Sequence, residues 1–174
     1  MFKLTSTSFS ELFIVHFFKF KDSRGLFLKP YLQKELQSSF GDISEVYVSS
    51  SKPKTFRGLH FQRGATAQKK YVICLAGKIE DVAVDLRPCS TTFGKTFRYT
   101  LDSDQPVGVI IPPGFAHGIY AYNHATIANF CDKPYSPADE GGIHHASVPE
   151  IHDLEVSTLS EKDAALPTLE SVLL

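Results

Sequence analysis

A chain of 174 residues with 43% hydrophobic and 21% charged residues has the size and composition of one globular domain with its own core. Its formal net charge of −1 argues against a broad nucleic-acid-binding surface, and the apolar run "LFIVHFF" is too short to span a bilayer. The cysteines Cys74, Cys89 and Cys131 are odd in number and far apart, which argues against a disulfide framework. We therefore expect a single domain over residues 1–174 in the cytoplasm, with neither a membrane nor a nucleic-acid partner.

Short segments rich in Val, Ile, Phe, Tyr and Thr follow one another along the chain, separated by turn residues. In chain order, the predicted strands are "SELFIVHFFKF", "EVYVSSS", "GLHFQ", "KKYVICLAG", "KIEDVAVDLR", "TFRYTL", "VGVIIP", "HGIYAYN" and "TIANFCDK". Helix is predicted only in "LQKELQSS" and in "LSEKDAAL", where Ser160 is a candidate N-cap and Asp163 the third helical residue. The pattern predicts an all-β, mostly antiparallel sandwich or barrel.

The strand "KIEDVAVDLR" carries carboxylates on one of its two faces. Alternation places one set of side chains on the first face, Ile79, Asp81, Ala83, Asp85 and Arg87, and the other set on the second, Glu80, Val82, Val84 and Leu86. If the first face meets the core, Asp81 and Asp85 need buried partners, because an unpaired buried charge is costly. If the second face does, both aspartates are solvated, and the strand alone leaves both interpretations open.

The stretch "GVIIPPGFAHGIYAYN" predicts a strand that ends at a Pro-Pro-Gly turn, followed by a strand that begins at His117. It resembles the second motif of the cupins, small jelly-roll barrels that often bind a metal through two histidines and a glutamate of a first motif. In the matching "LHFQ", His60 is followed by Gln62 where the second histidine would be, and Lys70 stands where the glutamate is expected. His60, Gln62 and His117 would form a poor transition-metal site, so no metal is expected.

A set of motifs in the same order resembles one cupin family, the nucleotide-sugar epimerases typified by dTDP-4-dehydrorhamnose 3,5-epimerase. The motifs are "DSRGLFLKPY", "RGLHFQ", "QKKYV", "DVAVDLRPCSTTFG", "IPPGFAHG", "PYSPADEGGI" and "LSEKDAALP", and they extend over nearly the whole chain. The resemblance implies a cupin-type jelly-roll β-barrel with short peripheral helices, a homodimer and no cofactor. It also implies that the substrate is a nucleoside-diphosphate 4-keto-6-deoxysugar.

The resemblance also implies the catalytic residues. A ketone at C4 acidifies the protons on C3 and C5, so the reaction needs a base, a group that holds the enolate oxygen and an acid. In the family, the base is the histidine of "RGLHFQ", here His60, oriented by the aspartate of "EKD", here Asp163, and the oxygen is held by a lysine, here Lys70. Taken singly, His60 would be interpreted as a core histidine and Asp163 as a first-turn helix residue.

The predicted substrate-binding residues are Arg57, Arg24, Gln62, Tyr135, Asn129 and His117. By resemblance, Arg57 binds substrate, and Arg24 reaches the nucleotide diphosphate across the dimer, where a guanidinium suits phosphate. Tyr135 matches a family tyrosine at the nucleotide end, although it is equally well interpreted as a packing residue. His117 has a second, structural interpretation as the partner of one of the two aspartates of the "DVAVD" strand.

The chain departs from the family at the general acid, a tyrosine six residues before Tyr135, where this sequence has Asn129. An amide cannot give up a proton at a useful pH. The proton is therefore supplied by another hydroxyl, such as Tyr120 or Tyr122, or by a water held by Asn129, or only one centre is inverted. Alternatively, His60 returns the proton on the same side or to another carbon, which would make the protein an isomerase such as a 3,4-ketoisomerase rather than an epimerase.

Two further departures touch the expected sugar-nucleotide pocket. Lys29 replaces the glutamate that is usual in the family's version of "DSRGLFLKPY", and the serines at 49–51 replace an Asn-containing segment. The substrate could therefore carry a non-standard sugar or nucleotide. A sugar-nucleotide-binding module without catalytic activity is a further alternative. The joint presence of the three catalytic side chains argues against the binding module.

Overall fold

The structure is a computed structural model and describes residues 2–173. The strands in this range are β1 (Lys3–Ser6), β2 (Phe13–His16), β3 (Phe18–Asp22), β4 (Gly25–Lys29), β5 (Glu45–Ser51), β6 (Phe56–Gln62), β7 (Lys70–Ala76), β8 (Lys78–Asp85), β9 (Thr96–Asp102), β10 (Val107–Ile111), β11 (Phe115–Ala121), β12 (Ala125–Cys131) and β13 (Glu140–Gly142). The helices are short: α1 (Gln33–Leu36), α2 (Glu161–Ala164) and α3 (Leu169–Leu173). The predicted all-β class is confirmed, and α1 and α2 lie within the two predicted helical segments. The first predicted strand divides into β2 and β3, and β1, β4, β13 and α3 were not predicted.

Two antiparallel sheets form the body of the fold. One has six strands in the order β1-β2-β10-β7-β12-β5, and the other has five in the order β13-β6-β11-β8-β9. Strands β3 and β4 form a separate hairpin. Buried residues from β7, β10 and β12 and from β8, β9 and β11 belong to one hydrophobic cluster, so the two sheets pack face to face.

Each sheet is also covered on its outer face. Leu36 and Phe40, from α1 and the turn after it, pack with Tyr71 and Ile73 on the outside of the six-stranded sheet. On the outside of the five-stranded sheet, the segment after β13 contributes the apolar residues Ile143, Val148, Ile151, Leu154 and Leu169. The chain thus buries three apolar layers, one between the sheets and one outside each of them.

Both faces of β8 are buried, which settles the choice that the alternation left open. Asp81 and Asp85 are fully buried, so the first interpretation is right, and both need partners. Asp85 binds Arg87 at 2.7 Å, and this pair keeps the pKa of Asp85 low although burial would raise it. The opposite face is buried too, because Val82 and Val84 pack beneath the C-terminal segment.

Among residues 2–173, no helix combines the length and the apolar character needed to cross a membrane. The three cysteines are free thiols, with Cys74 and Cys131 buried and Cys89 exposed. Burial raises the pKa of Cys74 and of Cys131 to about 11, so both thiols stay protonated at neutral pH.

Candidate active site

Two adjoining cavities of about 290 and 370 Å³ form one cleft between the sheets. The residues that line both are Tyr47, His60, Lys70 and Lys162. The first, the Tyr135 cavity, is further lined by Glu45, Phe61, Gln62, Gln68, Tyr135 and Glu140. The second, the Asn129 cavity, is further lined by Ser49, Arg57, His117, Gly118, Ile119, Ile127, Asn129, Ser160 and Asp163. The predicted base and the predicted oxyanion-binding lysine therefore share one cleft.

The histidine of β6 is paired with the aspartate of α2. His60 Nε2 lies 2.7 Å from Asp163 Oδ1, and the Gly58 backbone N–H donates to Asp163 Oδ2 at 3.2 Å. Gly58 has a φ of +114°, and a Cβ there would lie 2.6 Å from the His117 carbonyl oxygen, so only glycine fits beside the pair. On the other side, the Asp163 backbone N–H donates to Ser160 Oγ at 3.0 Å, which confirms the predicted N-cap.

The pair has the electrostatics of an oriented base. Burial alone would raise the pKa of Asp163, but hydrogen bonds and the charge of His60 hold it below its ordinary value, so the carboxylate stays ionised. Because Nε2 faces this carboxylate, it carries the ring proton and Nδ1 keeps a lone pair. Within the described chain, Nδ1 has no hydrogen-bond partner, and the side chain is 28% exposed. An imidazole held in this way can accept a proton from a molecule in the cleft.

Lys70 begins β7 and reaches the cleft from the six-stranded sheet, whereas His60 lies on the five-stranded sheet. Burial lowers the pKa of Lys70, and the nearby acids Glu140, Asp81 and Glu45, together with Cys131, partly oppose that shift. Its ammonium makes no hydrogen bond or ion pair with any residue in 2–173. A poorly solvated ammonium without a partner can bind a negative oxygen strongly.

The side chain of Gln62 is hydrogen-bonded to the neighbouring loops. Its amide nitrogen donates to the Thr66 carbonyl at 2.7 Å, and its oxygen accepts from the Ser136 backbone N–H at 2.8 Å. Gln62 thereby fixes the loop that carries Tyr135, and its oxygen is not a free metal ligand. No group of three or more His, Cys, Asp or Glu side chains within residues 2–173 could hold a metal ion.

Tyr135 lies at the outer end of the cleft and is 50% exposed. Its hydroxyl donates to Glu140 at 2.6 Å, a bond that raises the pKa of Tyr135, and its backbone N–H donates to Glu45 at 2.7 Å. Glu140 also pairs with Lys162 at 2.5 Å. The ring is thus held by its polar atoms rather than by burial, which leaves its face available for stacking.

The remaining predicted binding residues of the cleft are Arg57, His117 and Asn129. Arg57 Nε donates to Ser51 Oγ at 2.9 Å. His117 Nε2 lies 2.9 Å from Asp81 Oδ2, so His117 is tied to Asp81 rather than to Asp85. Asn129 is 2% exposed, and its Oδ1 has no hydrogen-bond partner among the described residues. The amide oxygen of Asn129 is therefore a buried acceptor that the described residues leave unpaired.

Three residues considered from the sequence lie elsewhere. Arg24 follows β3 in the β3–β4 turn, outside the cleft, with an 85% exposed side chain that pairs with Asp22 at 2.6 Å. The Tyr120 hydroxyl bonds to the Glu155 carbonyl, and that of Tyr122 to Glu80 at 3.0 Å, both outside the cleft. Neither tyrosine of β11 and its end can supply a proton to the cleft, so that expectation was wrong.

Sequence reasoning missed the cleft residues Tyr47, Lys162, Glu45 and Glu140. The alternation of "EVYVSSS" was a usable signal, since it places Glu45, Tyr47 and Ser49 on one face of β5. Lys162 immediately precedes the predicted Asp163. The sequence did not show that this face of β5 would line the cleft.

Comparisons with known proteins point to one family. The family model described as dTDP-4-dehydrorhamnose 3,5-epimerase matches residues 6–171. The enzyme of that name from Salmonella typhimurium is 37% identical, with 97% of this chain and 96% of the relative covered. A Legionella pneumophila dTDP-6-deoxy-D-glucose-3,5-epimerase, solved in complex with dTDP-4-keto-L-rhamnose, superposes with a TM-score of 0.90 at 33% identity over 98% of this chain and 94% of that one.

A more distant solved structure is a 3'-monoepimerase from Streptomyces bikiniensis in complex with dTDP-quinovose. It has a TM-score of 0.85 at 26% identity over 94% of this chain and 86% of that one. The cupin-type jelly-roll fold expected from the sequence is thus confirmed, together with the enzyme class. This chain belongs to the dTDP-4-dehydrorhamnose 3,5-epimerase family of isomerases.

Proposed function

We propose that this enzyme epimerises a nucleoside-diphosphate 4-keto-6-deoxysugar at C3, at C5 or at both, without a metal. The observation that carries the proposal is the convergence of the His60–Asp163 pair and the unpartnered ammonium of Lys70 on one cleft. Relatives whose names state 3,5-epimerase and 3'-monoepimerase activity support the same reaction class.

The chemistry follows from the groups on the two sheets. His60 Nδ1 removes the proton from the carbon beside the C4 ketone, and the C–H electrons move into a C=C bond and onto the C4 oxygen. Lys70 holds that oxygen, and Asp163 stabilises the imidazolium that forms. When the ketone re-forms, the C=C electrons take a proton from an acid on the opposite face of the carbon. Solvent then reprotonates that acid, and His60 returns its own proton to solvent.

Deuterium incorporation tests this function directly. The protein is incubated in D₂O with dTDP-4-keto-6-deoxyglucose, with and without a chelator, and C3 and C5 are followed by NMR. Deuterium with inversion at C3 only, C5 only or both carbons identifies a one-centre or a two-centre epimerase. Transfer of the carbonyl to C3 would instead identify the ketoisomerase, and no exchange with any 4-keto sugar nucleotide would leave only a binding module. Activity that the chelator abolishes would contradict the metal-free mechanism.

We propose further that the enzyme is a homodimer and that Arg24 binds the diphosphate in the partner's cleft. The hairpin that carries Arg24 exposes apolar side chains to an unusual degree, with Phe20 49% and Phe27 54% exposed. On β5, the edge strand of the six-stranded sheet, Val48 is 60% exposed. A free sheet edge beside exposed apolar residues suits contact with a second copy.

A mixing experiment tests the shared site. Arg24→Ala and His60→Asn, each impaired alone, are co-expressed so that mixed dimers form. If Arg24 acts across the dimer, one site of each mixed dimer is intact, and about a quarter of the wild-type activity returns. If Arg24 acts within its own chain, every site keeps a defect and no activity returns. Light scattering of the wild type measures the dimer itself, and a monomer would contradict it.

A further inference from the structure

We propose that Tyr47 is the general acid of this enzyme and that it protonates the sugar carbon on the face opposite His60. The inference rests on the proposed epimerase function. It addresses the missing acid, since Asn129 stands where the family resemblance implies a tyrosine. Tyr47 belongs to a different strand from the residue it would replace.

The strand register places Tyr47 beside the position of the missing acid. In the antiparallel pair of β5 and β12, Asn129 is the direct partner of Tyr47. Directly opposed residues in such a pair point to the same face of the sheet. Both side chains line the Asn129 cavity, and Tyr47 also lines the Tyr135 cavity. A phenol on β5 therefore reaches the region that a phenol on β12 would reach.

The two sheets supply opposite faces of the bound sugar. His60 extends from β6 of the five-stranded sheet, and Tyr47 extends from β5 of the six-stranded sheet. Epimerisation requires the proton to leave one face of the carbon and to return on the other. A ring bound between the sheets meets the base on one side and the Tyr47 hydroxyl on the other.

Two tyrosines line the cleft, Tyr47 and Tyr135, and they differ in whether the hydroxyl is already hydrogen-bonded. Within residues 2–173 the Tyr47 hydroxyl makes no hydrogen bond, whereas the Tyr135 hydroxyl is committed to Glu140. The residue as a whole is 40% exposed, but burial of the hydroxyl raises the pKa of Tyr47, so the oxygen keeps its proton. A phenol is a far stronger acid than the serine hydroxyls of the cleft, so it is the better proton donor to carbon.

The proposed step is balanced in protons and electrons. The C4–O⁻ electrons re-form the ketone, the C=C electrons take the Tyr47 proton to make the new C–H bond, and Tyr47 is left as a phenolate. The phenolate then takes a proton from water at the open cleft, and no oxidant or cofactor is needed.

The test separates proton removal from inversion. In D₂O, Tyr47→Phe should still exchange the substrate proton through His60, with configuration retained, while the inverted product forms about 10²- to 10⁴-fold more slowly. The substitution removes one oxygen that has no partner in the described chain, so the fold is preserved, and retained exchange itself reports an intact site. Tyr122→Phe, which removes a hydroxyl outside the cleft, is the matched control and should keep both rates.

Each outcome has a distinct meaning. Exchange without inversion in Tyr47→Phe supports the assignment. Wild-type rates of both processes in Tyr47→Phe, or loss of both in a folded variant, would overturn it and leave the epimerase function standing. Absence of exchange in the wild-type enzyme would instead remove the proposed function itself.

Discussion

Two neighbouring histidine–aspartate pairs have their histidines on the five-stranded sheet. His60 and His117 are register partners on β6 and β11, and both line the cleft. His60 bonds to Asp163 at 2.7 Å, and His117 bonds to Asp81 at 2.9 Å. The chemical groups are the same, so any difference in function must come from their surroundings.

The surroundings differ in access and in support. The His60 side chain is 28% exposed, whereas the His117 side chain is 7% exposed and Asp81 is fully buried. Asp163 is also held by the Gly58 backbone N–H, while Asp81 Oδ1 has no partner among the described residues. A histidine–aspartate pair becomes a base only where the second ring nitrogen can reach a substrate, which favours His60. Asp81 acts on the cleft through its charge, which raises the pKa of Lys70 and so partly offsets the effect of burial.

The largest effect is expected from His60→Asn. Asparagine can still donate to Asp163, so the free energy of unfolding should change by no more than about 1 kcal/mol. Without the base, deuterium exchange should fall by about 10⁴-fold or to background. NMR in D₂O, combined with thermal unfolding, measures both quantities. Undiminished exchange would remove the assigned base and with it the contrast between the two pairs.

Asp163→Asn should rank second, with exchange lower by about 10²- to 10⁴-fold, because an amide neither fixes the tautomer nor stabilises the imidazolium. The pKa of Asp163 is lowered in the folded state, so its stabilising contribution is present above its ordinary value of 3.8 and is lost as the pH falls below it. The wild type should therefore be more stable than the variant at neutral pH, and the difference should shrink below about pH 4. Chemical denaturation across this range measures the difference. A gap that stays constant down to strongly acidic pH would contradict the ionised pair.

Lys70→Met should reduce exchange by about 10²- to 10³-fold, the usual cost of losing one donor to a developing oxyanion. Because burial lowers the pKa of Lys70, exchange in the wild type should also decline at a pH below the ordinary lysine value of 10.5. The melting temperature should be unchanged or higher, since a desolvated charge is replaced by an apolar chain. Lys69→Met is the matched control, because Lys69 Nζ bonds to the Ser39 carbonyl away from the cleft. Equal losses in both variants would show that the effect is not specific to the oxyanion.

The sequence predicted several of the side chains that line the cleft, but not the neighbours that the fold brings beside them. His60, Lys70 and Asp163 could be placed because each belongs to a motif of adjacent residues, and Asn129 because it lies six residues before Tyr135. Tyr47 could not be placed beside Asn129, because the register of strands far apart in the sequence depends on packing rather than on any local pattern.

The two aspartates of β8 illustrate the same limit. The alternation of β8 predicted one buried face and one solvated face, but the C-terminal segment covers the second face as well. No feature of β8 itself reports that cover. For the same reason, alternation could not choose between Asp81 and Asp85 as the partner of His117. The register sets His117 opposite Ala83, midway between the two aspartates, and Asp85 is bound instead by Arg87, Ser90 and Thr92.

The smallest effect on exchange is expected from His117→Ala, for which the rate should stay within about tenfold of the wild type. Its effect on stability should be the largest of the series, because Asp81 would be left as an uncompensated buried charge at a cost of about 3–5 kcal/mol. The double variant His117→Ala/Asp81→Ala removes both members and should recover part of that loss. Together with His60→Asn, the series predicts opposite effects at the two pairs. Substitution of His60 should lower activity with little change in stability, and substitution of His117 should lower stability with little change in activity. Loss of exchange in a stably folded His117→Ala variant would contradict this assignment. It would mean that both pairs take part in proton transfer although His117 is buried.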